Sequence, residues 1–232
     1  MDPQLILSQI FADVCVMDAP LGVRLKIYAD ALREQSSAFA DAYDELVARL
    51  ASTDAGRQAP GVGDILPDFL LPSKAGKLVS LASLLATGPV VVSFNRGHWC
   101  RFCRIELATL AEHHAEITSH GAQVVSIMPE LQKFAAQVDP KTALAMRLLT
   151  DVDNGYAMSL GLVVWLGEEV KLLMQNSGYH LEFYQGNDGW FVPLPATFVV
   201  GRDGRIVARF VDPDFRRRME IEEILKAIAM AD

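Results

Sequence analysis

This sequence predicts an α/β fold, a mixed sheet flanked by helices with a helical extension ahead of it. Three observations carry that reading. A β-branched run, Pro89-Val90-Val91-Val92-Ser93-Phe94, gives way to helical spacing at Ile105, Leu107, Leu110, Ala111 and His114, the pattern of a buried strand feeding a helix. Strand and helix patterns then alternate before the chain closes on a hairpin about Gly201–Gly204 and an amphipathic helix. That order builds a sheet parallel at its centre with an antiparallel edge. Ahead of all this, residues 21–51 carry one apolar stripe at helical spacing.

Taken in order, residues 4 to about 17 read as a helix and 21 to about 51 as a second. In the second, Leu21, Leu25, Tyr28, Leu32, Phe39, Tyr43, Leu46 and Leu50 form the stripe, with charges between them. The stripe needs a cover, either the main domain or a second copy of the chain, which would make a homodimer. Cys15 in the first helix reads as a small buried hydrophobe. Small, turn-forming residues at 52–63 mark the best boundary, dividing a 1–58 extension from a 59–232 domain. Asp64–Pro72 and Lys74–Ser80 read as extended pieces about a turn at Gly76, and Leu81–Ala86 as a short helix before the Gly88-Pro89 break.

After the buried strand, a helix is expected from Cys100 to about Ser119, a strand over Ala122–Met128, and a helix from Pro129 to about Val138. Leu148–Asp151 reads as a strand, Asn154-Gly155 as a turn and Ala157–Leu160 as helical; residues 162–192 show no clear pattern. Pro195–Val200 and Ile206–Phe210 read as strands joined by Gly201-Arg202-Asp203-Gly204, and Glu220–Met230 as the closing helix.

At 232 residues, 51% hydrophobic and 22% charged, the chain can bury a sizeable core. A net charge of −8 argues against nucleic acid or an anionic membrane as partner. No apolar run reaches the roughly 18–20 residues of a membrane span. Met1-Asp2-Pro3 lacks the basic start of a signal peptide. Three cysteines do not make a secreted disulfide framework, so a cytoplasmic location is expected.

Two of those cysteines carry the chemistry. Cys100 and Cys103 sit where the buried strand turns into the helix, a C-x-x-C pair in the first helical turn. Unpaired N–H groups and the macrodipole at a helix N-terminus favour an anion, and a thiolate is one. There a thiol pKa of about 8.5 can fall to about 3.5–7.5. Arg96, Arg101 and Arg104 add positive charge nearby, and the i, i+3 spacing puts both sulfurs on one face. A nucleophile and its resolving partner are thus present together. Two cysteines cannot complete a structural zinc site, and His98, His113, His114 and Cys15 stand at no familiar ligand spacing, so no metal is expected. No Gly-rich phosphate loop follows a strand, so no nucleotide or other cofactor is expected either.

Several spaced motifs then agree in order. Val62-Gly63-Asp64, Pro67-Asp68-Phe69-x-Leu71-Pro72 and Gly76-Lys77-x-Val79-Ser80-Leu81 precede Arg96-Gly97-x-Trp99-Cys100-x-x-Cys103-x-x-Glu106-Leu107. Leu194-Pro195-Ala196-Thr197-Phe198-Val199-Val200 and Phe210-Val211-Asp212-x-Asp214-Phe215-x-x-Arg218 follow. This series resembles the peroxiredoxin-like (alkyl hydroperoxide reductase/thiol-specific antioxidant) proteins, in particular a subgroup with a Trp-Cys-x-x-Cys site and a helical N-terminal extension. The resemblance implies a thioredoxin-like fold, reduction of hydrogen peroxide or organic hydroperoxides, and a thioredoxin-like or other thiol reductant as partner.

The departures from the family pattern matter. Its Pro-x-x-x-Thr-x-x-Cys motif, laid on this chain, puts Cys103 on the peroxidatic cysteine, Cys100 on the threonine and Arg96 on the proline. In thioredoxins the first cysteine of the pair attacks. The two resemblances disagree, and helix geometry favours Cys100, which should be better exposed and meet more free N–H groups, with Cys103 resolving. The family arginine before the later strand is missing. Pro195 stands where thioredoxins carry a cis-proline, and Arg96 is the candidate to replace the lost charge. Candidate catalytic residues are therefore Cys100, Cys103 and Arg96, and candidate substrate contacts are Trp99, Pro195 and Thr197. For these contacts the bland readings are a packing lid for Trp99 and a plain strand residue for Thr197; His98 reads as a surface turn residue. Two rival functions stay open: a thiol–disulfide oxidoreductase acting on proteins, and a redox sensor or binding module without catalysis.

Overall fold

A computed structural model describes residues 2–135, 137, 138 and 140–231. The chain opens with α1 (Pro3–Cys15), started by Pro3 and by the Asp2 carboxylate, which accepts from the Gln4 N–H at 2.9 Å. The helix expected over 21–51 is two: α2 (Leu21–Gln35) and α3 (Ser37–Ser52). They break at Ser36, which lies outside helical geometry at φ −154°, ψ 76°. Its N–H still closes the first helix on the Leu32 carbonyl, and its carbonyl opens the second to the Ala40 N–H. The apolar spacing runs on in phase from α2 into α3 and so does not reveal the break.

The strands β1 (Leu70–Pro72) and β2 (Leu78–Ser80) pair antiparallel about Gly76, whose φ is +74°. The short helix α4 (Leu81–Leu85) leads into β3 (Val90–Phe94). After β3 come α5 (Arg101–Glu112) and α6 (His114–Ser119), two helices broken at His113 where one was expected. Strand β4 (Gln123–Met128) follows. The helix expected from Pro129 to Val138 is the shorter α7 (Gln132–Ala135), and residue 136 of that span lies outside the described residues. An unforeseen α8 (Pro140–Ala145) has Pro140 at its start, where a missing N–H costs nothing.

Then come β5 (Arg147–Thr150), a 3-10 turn at Val152–Asn154, and α9 (Gly155–Ser159). The stretch without a sequence pattern holds β6 (Val163–Trp165), α10 (Glu168–Asn176), α11 (Leu181–Gln185) and β7 (Phe191–Pro193), with β6 and β7 paired antiparallel. Strands β8 (Ala196–Val200) and β9 (Ile206–Val211) and helix α12 (Ile221–Ala229) close the chain as expected.

The main sheet runs β5-β4-β3-β8-β9, with β3, β4 and β5 mutually parallel and β8 and β9 antiparallel to their neighbours. Strand β3 lies at its centre, fully buried. Side chains of a strand alternate faces. Val90, Val92 and Phe94 pack with α4, α9 and Tyr156 on one side, whereas Val91 packs with Leu107, Leu110 and α12 on the other. A helix must therefore carry apolar residues on both flanks, and α5 does. Leu107 and Leu110 face the sheet, while Phe102, Cys103 and Ile105 face a third core built with α1–α3, α10 and Phe215. The stripe on α2 and α3 is thus covered by the chain's own domain. The ground for expecting a homodimer through it is gone.

Polar ties hold the three leading helices in place. Arg24 is buried and reaches the Ala19 carbonyl at 2.8 Å, Thr109 Oγ1 at 3.4 Å and Glu112 Oε2 at 2.9 Å on α5. Pro20 offers no side-chain cap to α2, and the Glu220 carboxylate supplies one, accepting from the Leu21 and Gly22 N–H groups at 3.0 and 2.8 Å. Arg49 of α3 donates to the Trp165 carbonyl at 2.7 Å, and Asp44 pairs with Arg216 at 2.6 Å. No described helix is long and apolar enough to cross a membrane.

Candidate active site

Strand β3 ends at Phe94, and the six residues from Asn95 to Cys100 turn the chain into α5. Gly97 makes the turn, with φ +137°. A Cβ there would stand 2.6 Å from the Glu130 carboxyl carbon and 2.7 Å from Trp99 Nε1. The loop is pinned by the Asn95 N–H donating to the Ile127 carbonyl at 2.9 Å and the His98 N–H donating to Glu130 Oε2 at 2.7 Å. His98 is not a surface turn residue: its Nδ1 lies 2.6 Å from Glu130 Oε1, and its ring meets Phe134 and Tyr184.

Cys100 is the N-cap of α5, one position ahead of the first helical turn, and Cys103 lies in that turn. Both are reduced thiols and both are buried, at 2% and 0% exposure, which corrects the expectation of an exposed Cys100. Around Cys100, Arg96 closes a fork, its Nε and Nη2 at 3.3 and 3.2 Å from Sγ. The guanidinium is itself buried and held over Phe215 at 3.8 Å, Trp99 at 5.2 Å and Tyr43 at 5.9 Å. A residue so enclosed is no solvated turn arginine. Arg101 and Arg104 instead lie over the Phe11 ring of α1, at 5.4 and 4.7 Å.

Cys103 Sγ accepts from the Arg96 backbone N–H at 3.4 Å and from Arg218 Nη2 at 3.5 Å. Arg218, 115 residues further along the chain, is a second guanidinium that sequence reasoning placed in a motif but gave no role. Its Nε donates to Glu106 Oε2 at 2.5 Å, and Nη1 to the Phe215 and Arg217 carbonyls. Glu106 in turn accepts from Ser93 Oγ at 3.0 Å and Thr197 Oγ1 at 3.4 Å, and Asn95 Nδ2 donates to Ser93 Oγ at 2.8 Å. A buried polar chain thus runs from the sheet to the second sulfur. Sequence reading gives Glu106 only as a motif letter; its spacing, three residues after Cys103 and so one helical turn on the same side, is the signal that could have marked it.

These charges set unequal sulfurs. Burial alone would push the Cys100 thiol up, yet the hydrogen bond with the Cys103 thiol, Arg96, Arg218 and the Cys103 backbone N–H together hold it well below the ordinary thiol range. Burial and the neighbouring Cys100 charge push Cys103 well above that range, against the pull of Arg218 and Arg96. The two thiols titrate as a pair, with the surroundings favouring the thiolate at Cys100 and the thiol at Cys103. Tyr28 is pushed up to about 12, chiefly by burial.

Of the other candidates, Trp99 is buried against Arg96 and lines the cavity at Cys100, whereas neither Pro195 nor Thr197 does. Thr197 pairs in register with Ser93 and belongs to the polar chain beneath the sulfurs. Pro195 precedes Ala196, the register partner of Phe94, at the end of the sheet where the loop begins. No cis peptide bond occurs among the described residues, so the Leu194–Pro195 bond is trans, unlike the thioredoxin proline whose place Pro195 takes.

Strand, loop, dithiol and helix on a mixed five-stranded sheet define a thioredoxin-like thiol oxidoreductase. Residues 62–209 match the AhpC/TSA family, and the chain belongs to that family. The thiol-disulfide oxidoreductase ResA of Bacillus subtilis (strain 168) is 24% identical over 153 residues, covering 66% of this chain and 69% of ResA. Two solved structures share the fold. Peroxidoxin BcpB of Mycobacterium tuberculosis matches with TM-score 0.56 at 20% identity over 74% of this chain and 97% of its own. A mutant of peroxiredoxin 6 of Arenicola marina matches with TM-score 0.58 at 15% identity over 73% and 72%.

Proposed function

We propose that this protein is a thiol peroxidase that reduces hydroperoxides through a Cys100/Cys103 dithiol–disulfide cycle. The observation that supports it most is the Arg96 fork on Cys100 Sγ, a fixed cation at a buried anionic nucleophile. The Cys100 thiolate attacks the terminal oxygen of ROOH; the O–O bond breaks, sulfur is oxidised to the sulfenic acid, and RO⁻ leaves. The Cys103 proton goes to RO⁻, giving ROH and a Cys103 thiolate. That thiolate attacks the sulfenic sulfur, hydroxide leaves as water with a solvent proton, and the disulfide forms before further oxidation. A thioredoxin-like dithiol then reduces it by exchange, becoming a disulfide itself. Arg96 and Arg218 hold the negative charge at each stage. In this reading residues 1–58 act as an extension of the 59–232 domain, and the work is done in the cytoplasm.

A second reading, thiol–disulfide exchange with protein substrates, is favoured by one observation: the low-pKa sulfur is the first of a C-x-x-C pair, in a chain related to ResA. Rapid mixing of the reduced protein with peroxide separates the two. Peroxidase activity requires a rate constant far above that of free thiol, lost in Cys100→Ser, with Cys103→Ser stopping at sulfenic acid. A wild-type rate no faster than free thiol sinks the peroxidase, and insulin-disulfide reduction would then establish the exchange reading. Loss of the first step in Cys103→Ser with retention in Cys100→Ser would reverse the roles of the sulfurs.

A further inference from the structure

Beside Cys100 lies a cavity of about 150 Å³. A water needs about 10–15 Å³, whereas an apolar cavity of about 150 Å³ takes up benzene. Hydrogen peroxide, two oxygens and their protons, leaves most of such a space unfilled. Five apolar residues form much of the wall, Leu7 from α1, Leu32 from α2, Phe39 from α3, Phe102 from α5 and Met174 from α10, with polar Gln35 and Ser177 set among them. Cys100, Arg96 and Trp99 line the same cavity, so a hydroperoxide lying in it has the sulfur within its walls. Three of the five wall residues belong to the leading helices, which the family match over 62–209 does not include.

From this geometry we infer that the leading helices form a specificity pocket for hydroperoxides bearing one ring-sized apolar group, and that such substrates are selected over hydrogen peroxide. The inference rests on the peroxidase reading above. The apolar group leaves water for the Leu32–Phe39 wall, and its –OOH is delivered to the Cys100 thiolate under the Arg96 fork. Burial of a substituent of that size favours binding, at about 25 cal/mol per Å² of apolar surface. Hydrogen peroxide gains nothing from the wall. The difference belongs in KM rather than in the chemical step, because the wall touches the group and not the reacting oxygens.

The test compares kcat/KM of the full chain for cumene hydroperoxide and hydrogen peroxide. The expected ratio is at least tenfold in favour of cumene hydroperoxide. Ser36 lines the cavity and its side chain caps no helix, so Ser36→Trp fills the space without removing a hydrogen bond. That variant should lower the rate with cumene hydroperoxide at least tenfold more than the rate with hydrogen peroxide. Phe39→Ala, which widens the cavity, should shift preference toward bulkier hydroperoxides, and it carries the test if Ser36→Trp fails to fold. Cumyl alcohol, the product, should bind the reduced protein saturably and quench tryptophan fluorescence. Equal rates for the two peroxides, or a ratio that neither variant moves, overturns the pocket and leaves the peroxidase standing. Failure of both peroxides to react faster than free thiol removes the peroxidase reading, and the pocket's substrate with it.

Discussion

Arg96 is the residue on which the site turns. Its neighbours hold it in place: Phe215, Trp99 and Tyr43 flank the guanidinium, and Cys100 takes two of its N–H groups. An opposite charge at this range lowers a pKa by about 1–3 units. Cys100 is an acid whose pKa is depressed, so peroxide reactivity should hold at its maximum below the ordinary thiol range. It falls only when the pH drops through the depressed value. Arg96→Ala removes that attraction while burial remains, so the fall moves to higher pH and the neutral-pH rate drops by at least about tenfold. The pH profile of the second-order rate constant, followed beside ultraviolet thiolate absorbance, checks this; an unmoved profile would deny Arg96 its role. The partner arginine shows what sequence reading misses. Arg218 meets Cys103 from 115 positions away, and only the fold brings that pair together. The motif spelled the residue without saying whom it faces.

At the scale of elements, what was legible follows from periodicity. Strands β3 and β8 are mostly apolar runs bounded by turn residues, β9 follows β8 across the Gly201–Gly204 turn, and α12 carries a clean helical period, so their reading stands within a residue or two. Apolar spacing cannot see a helix break that leaves the stripe in phase, which is why Ser36 and His113 passed unnoticed. Between Leu162 and Val192, β6 and β7 with three residues each and α11 with five are too short to show a period, and the nine-residue α10 buries only Val170 and Met174. The loop joining β3 to α5 was placed correctly, but its burial was not, because the cover comes from helices far away in sequence. Gly97 fixes the path of that loop. Gly97→Ala would require a side chain at φ +137° and push Glu130 and Trp99 aside. A strained backbone costs about 1–3 kcal/mol, and moving Trp99 shifts Arg96 with it. Urea denaturation should show a loss of at least that size, and the peroxide rate should fall beyond what the unfolded fraction explains. Wild-type stability and rate together would mean the loop has room to spare.

On the scale of the whole molecule, the leading helices set the two halves of the proposed peroxidase cycle in conflict. A hydroperoxide can reach Cys100 through the cavity, but a protein dithiol must bring its own sulfur against the disulfide. Helices α1–α3 stand over that position, tied down by Arg24, Arg49, Asp44 and the Glu220 cap. Reduction by a protein therefore waits for these helices to lift, whereas a small dithiol enters directly. Kinetically, re-reduction of the oxidised chain by thioredoxin should level off at a ceiling set by the opening rate. With dithiothreitol it should keep rising in proportion to concentration. Tyr28 sits at the seam, edge-on to Phe11 of α1 at 6.2 Å and to Phe102 of α5 at 5.2 Å. Truncating a buried aromatic costs about 3–5 kcal/mol, and every 1.4 kcal/mol that falls on the closed state alone raises the open population tenfold. Tyr28→Ala should therefore lift the thioredoxin ceiling at least tenfold and leave the dithiothreitol rate within a factor of about two. A thioredoxin rate that stays linear to high concentration in the unmutated chain would show that the helices are no barrier. The disulfide would then have to form with its sulfurs displaced toward the surface.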